Sequence, residues 1–61
     1  MKYYTKQDIE NLIPKKLHEE FEKEMIGQAC PIVDDEYCYY KHDVDRFLRS
    51  NNLEEGEGRE L

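Results

Sequence analysis

Sixty-one residues make one small domain, of the size that buries only about 60% of the surface its unfolded chain exposes. So short a chain can hardly enclose the ~300 Å³ or more that small-molecule sites commonly occupy. A formal net charge of −6 and a pI of about 4.8 repel nucleic acid and anionic membrane at long range and favour basic protein surfaces.

In chain order, MKYYTKQD has no apolar stretch of the signal-peptide kind, and no segment approaches membrane-spanning length. A cytoplasmic protein is expected, with Cys30 and Cys38 as free thiols. Residues 5–13, TKQDIENLI, predict a short helix. Thr5 caps it with Asp8 three residues on, and Ile9, Leu12 and Ile13 form one apolar stripe. Pro14 breaks that helix and opens a second, PKKLHEEFEKEMIGQ, which buries Leu17, Phe21 and Met25 and stops at Gly27. Its other faces carry Lys16, Glu19, Glu20, Lys23 and Glu24, with Lys16–Glu20 and Glu19–Lys23 as i, i+4 pairs.

The stretch PIVDDEYCYY predicts a β-hairpin, with Ile32 and Val33 in one strand and Tyr37 to Tyr40 in the other. Asp34 and Asp35 suit the turn, since Asp tolerates unusual φ, whereas Glu36 is no turn former. HDVDRFLRS predicts a third helix with Val44, Phe47 and Leu48 inward. Asp43 and Asp45 lie at its positive end, and Arg46 and Arg49 toward its negative end. In the final segment SNNLEEGEGREL, four Glu against Arg59 hold half of the net charge, and almost nothing is apolar. A mobile acidic tail over 50–61 is expected after a domain over 1–49. The fold class is α+β, in the order helix, helix, hairpin, helix.

The runs YYTKQDIENLI, PKKLHEEFEKEMIGQ and CPIVDDEYCYYKHDVDRFL resemble the small winged helix-turn-helix proteins of the excisionase and MerR-like group. The resemblance spans residues 3–49 and closes on Lys41, Asp43, Val44, Phe47 and Leu48. It implies a winged-helix-like domain of a phage or mobile element. It also implies DNA binding, with the second helix in the major groove and the hairpin as a wing on the backbone. Lys15, Lys16, Lys23 and Lys41 are the cations available for that role.

The chain departs from the family where DNA would be touched. Asp34, Asp35 and Glu36 stand at a wing tip that is usually basic, and Glu19, Glu20, Glu22 and Glu24 crowd the second helix. Tight complexes rest on about 6–10 phosphate contacts, and nine Lys and Arg against fifteen Asp and Glu do not supply them on one face. The leading expectation is therefore a protein that binds a basic protein surface through these seven acids and Tyr39. That surface could be a nucleic-acid-binding channel, as in inhibitors of host defence nucleases of the anti-CRISPR type. Sequence-specific binding of duplex DNA is the alternative.

Other chemistry has thinner support. His18, Cys30, Cys38 and His42 are the residue types of a zinc site, but the spacing lacks a Cys-x-x-Cys knuckle. No metal or other cofactor is expected. No nucleophile has a visible base and no Gly-rich phosphate loop is present, so neither an enzyme nor a small-molecule substrate is expected.

Overall fold

The computed structural model describes residues 1–61. It begins with a strand the sequence pattern did not announce, β1 (Lys2–Tyr4), followed by helix α1 (Lys6–Leu12). The capping box at α1 forms in both directions. The Asp8 backbone N–H donates to Thr5 Oγ1 at 3.1 Å, and the Thr5 N–H donates to the Asp8 carboxylate at 3.0 Å. Ile13 then turns extended, at φ −114° and ψ 125°, as the residue before a proline must to clear its ring.

A 3-10 turn (Lys15–Leu17) leads into α2 (His18–Met25), so the second helix is shorter than the 14–28 run expected. The ring Nε2–H of His18 donates to the Ile13 carbonyl at 2.7 Å and ties the start of α2 to the end of α1. A carbonyl only accepts, which fixes that nitrogen as the protonated one. Past the helix end, Gly27 sits at φ +84°, the left-handed geometry that stops a helix.

Strands β2 (Ile32–Val33) and β3 (Glu36–Tyr37) form the expected hairpin around a two-residue turn. Asp34 and Asp35 lie at φ 52° and 64°, the positive pair that marks a type I′ turn. The second strand does not run on to Tyr40. The chain breaks at Cys38, whose N–H donates to the Pro31 carbonyl at 2.9 Å. Residues Tyr39–Tyr40 then form β4, which leaves the hairpin and pairs antiparallel with β1, Tyr3 opposite Tyr40 and Tyr4 opposite Tyr39.

Helix α3 (Lys41–Ser50) ends on a Schellman motif. The Leu53 N–H donates to the Leu48 carbonyl at 2.8 Å and the Asn52 N–H to that of Arg49 at 3.2 Å, with Asn52 at φ 57°. This lays Leu53 against the core. Beyond it the structure corrects the expectation of a mobile tail. Arg59–Glu60 forms β5 on the free edge of β1, giving a sheet in the order β4-β1-β5. Contacts with distant residues, which composition does not record, hold this segment. Arg59 makes two hydrogen bonds to the Asp8 carboxylate, at 2.8 and 3.1 Å, and the Gly56 N–H donates to the Tyr4 hydroxyl at 3.1 Å.

The result is a small α+β domain of three helices and two antiparallel sheets. Its core is Tyr4, Ile9, Ile13, Phe21, Val44, Phe47 and Leu48, with Leu12, Leu17, Met25, Tyr39 and Leu53 packed against it. All three apolar stripes read from the sequence contribute. Phe21 meets Tyr39 and Phe47 edge-on, at 5.1 and 5.4 Å between centroids, the arrangement ring quadrupoles favour.

Candidate functional site

Most cations are committed within the chain. Lys2 faces Glu60, Arg46 binds Asp43 at 2.9 Å, Arg49 binds Glu55 at 3.2 Å, and Arg59 holds Asp8. Of the four lysines considered for DNA, Lys41 is consumed by structure. It pairs with buried Asp45 and with Glu55, and lies 5.8 Å above the Tyr4 ring. The Asp45 hydrogen bond holds its ammonium above the ordinary lysine range. Lys23 pairs with Glu19 on the helix surface at 3.8 Å. Lys15 and Lys16 are exposed and free of ion pairs, side by side in the 3-10 turn.

The four α2 glutamates are all exposed but do not form one row. Glu20 and Glu24 line the crevice between α2 and α3, near Arg46. Glu22 lies on the opposite flank beside Tyr39, and Glu19 is partly neutralised by Lys23. The 3.6-residue helical period divides them in this way.

At the hairpin the acids stay together. Asp34, Asp35 and Glu36 are exposed and form no ion pair. Behind this tip, Ile32 and Tyr37 are directly paired across the strands, and both remain largely in water, at 64% and 62% exposure. Facing residues of an antiparallel pair share one side of the ribbon, so the hairpin carries an apolar face next to an acidic end. Tyr39, the tyrosine expected to contact a partner, is half-buried against Phe21, and the exposed one is Tyr37. A two-residue turn pairs residues three apart and, next along the strands, five apart. Placing that register on IVDDEY would have selected Ile32 and Tyr37 from sequence.

The remaining chemistry-bearing residues are dispersed. Cys30 is exposed and Cys38 buried, both as free thiols. Burial, with Glu36 nearby, pushes the Cys38 thiol up. His42, in the first turn of α3, stacks on Tyr40 at 5.7 Å and lies 3.4 Å from Asp43. No three His, Cys, Asp or Glu side chains converge as a metal site. A half-open groove of about 450 Å³ lies between α1, α2 and β4, lined in part by Tyr39 and Glu22. No helix is long and apolar enough to cross a membrane. Comparison with protein-family models, curated proteins and solved structures finds no match to this chain.

Proposed function

We propose that this chain is a non-enzymatic, cytoplasmic binding module that docks on a basic protein surface through its hairpin and the acidic flanks of α2. The observation that carries this reading is the hairpin itself. An exposed Ile32–Tyr37 pair sits next to Asp34, Asp35 and Glu36, none of them neutralised within the chain. An aromatic residue with an aliphatic neighbour supplies an anchor, and the unpaired carboxylates supply steering and selectivity. The partner surface would be basic with an apolar recess, as along a channel built to track phosphates.

The order of strand, two helices, hairpin and closing helix supports a winged-helix-like scaffold of phage or mobile-element type whose wing has been turned from nucleic acid to protein. A host-defence nuclease inhibited by occupation of its nucleic-acid channel is the form of partner that fits this charge. The DNA-binding reading is left with Lys15 and Lys16 as its free cations from the original four.

The test compares proteins captured by the wild-type chain with those captured by two folded variants. Asp34→Asn/Asp35→Gly/Glu36→Gln removes the tip charge while keeping residues suited to positive φ, and Ile32→Ser/Tyr37→Ser removes the apolar pair. A partner eluted by salt and lost at least tenfold in both variants is expected. Capture unchanged in both would overturn the assignment of this surface.

A further inference from the structure

The groove between α1, α2 and β4 joins the Glu22 flank of α2 to side chains that the hairpin does not reach. Ile9 and Phe21, both nearly fully buried, form its floor, and Tyr39 packs edge-on against Phe21 at 5.1 Å. His18 closes one side, fixed by its 2.7 Å hydrogen bond to the Ile13 carbonyl. Exposed Glu10 and Glu22 stand at the rim, and neither has a Lys or Arg partner within the chain. Lys6 is the one cation at the mouth. Glu22 is close enough to contribute, after burial, to raising the Tyr39 phenol above its ordinary range.

We propose that this groove receives a single arginine side chain from the basic partner. The guanidinium would lie against the Tyr39 ring between the Glu10 and Glu22 carboxylates, and the methylene stem would cover Phe21 and Ile9. Each wall matches one part of that side chain. Aromatic faces attract planar cations, carboxylates accept guanidinium N–H groups in pairs, and the apolar stem of arginine packs on hydrocarbon. A neutral apolar side chain would leave both carboxylates unused, and an acidic one would be repelled by them. The inference rests on the proposal that the partner is basic, and it adds a pocket that grips one residue of it.

The probe is N-acetyl-arginine amide, titrated into the 15N- and 13C-labelled chain, with the neutral isostere N-acetyl-citrulline amide as control. Saturable shifts at Tyr39, Phe21 and Ile9 are expected with arginine and not with citrulline. Glu10→Gln and Glu22→Gln should each weaken binding several-fold, and Lys6→Ala should strengthen it. All three positions are exposed, so the variants retain the fold. Equal shifts with citrulline, or shifts spread over all acids and unchanged in Glu22→Gln, would overturn the pocket. An arginine-rich peptide separates this result from the wider reading. If it still binds the hairpin, and loses affinity with Asp34→Asn/Asp35→Gly/Glu36→Gln, the pocket fails while the docking surface stands. If neither ligand binds, both fail.

Discussion

Asp8 serves two ends of the chain. Its carboxylate caps α1 at Thr5 and holds the guanidinium of Arg59, 51 residues away. The Arg59 hydrogen bonds, with those of Thr5, lower its carboxyl from 3.8 to about 2. A carboxyl with a depressed folded-state pKa contributes stability above its unfolded value and loses it as pH falls through the folded one. Arg59→Ala should therefore lower the urea midpoint at neutral pH, and its deficit relative to wild type should close as pH falls from 3.8 through about 2. Equal deficits at all pH values would contradict the pairing. At the turn, Asp35 sits at φ 64°, where a β-branched residue pays a left-handed cost of about 1–2 kcal/mol. Asp35→Val should lower stability by that amount and Asp35→Gly should not, as thermal melts would show. The local role of Asp8 could be read from TKQD because a capping box is a three-residue spacing. Its partnership with Arg59 could not, since nothing local records so distant a contact.

Among the elements, β5 depends most on contacts from elsewhere in the chain. The Tyr4 hydroxyl accepts from the Gly56 N–H and donates to buried Asp45 at 3.0 Å, while Lys41 bridges Asp45 and Glu55. This polar chain joins β1, α3 and the tail. Tyr4→Phe should reduce unfolding free energy by about 1–2 kcal/mol, because buried groups lose partners, and should speed amide exchange at Gly56. An unchanged exchange rate there would contradict the link. Gly58 lies at φ +78°, and a Cβ added there would come within 2.8 Å of the Lys41 stem. Gly58→Ala should accordingly release β5 and raise exchange at Leu61, whose N–H donates to the Met1 carbonyl at 3.0 Å, while leaving α3 protected. The helices were legible because Ile9, Leu12 and Ile13, or Val44, Phe47 and Leu48, repeat at the helical period. Strands β1, β4 and β5, of two or three residues each, are too short to show alternation. The Tyr37–Tyr40 run hides the break at Cys38 for the same reason.

At the scale of the whole molecule, charge and area set what this chain can bind. Its accessible surface is 4541 Å², and a standard interface takes about 800 Å² from each partner. The hairpin alone is too small for that, so a stable complex formed through it needs further area, which the proposed α2 flank and groove would add. Sequence charge sets the sign expected of a partner but not the arrangement of the acids, because helical geometry divides Glu20 and Glu24 from Glu22. The three-acid hairpin tip remains the one undivided acidic feature of those considered. The claim that these surfaces face protein rather than nucleic acid is tested most directly by fluorescence anisotropy of labelled random duplex DNA titrated with the full chain across ionic strength. No saturable binding is expected below about 10⁻⁴ M even at low salt, weaker than ordinary non-specific DNA binders. Micromolar binding with a steep negative dependence on salt would contradict it.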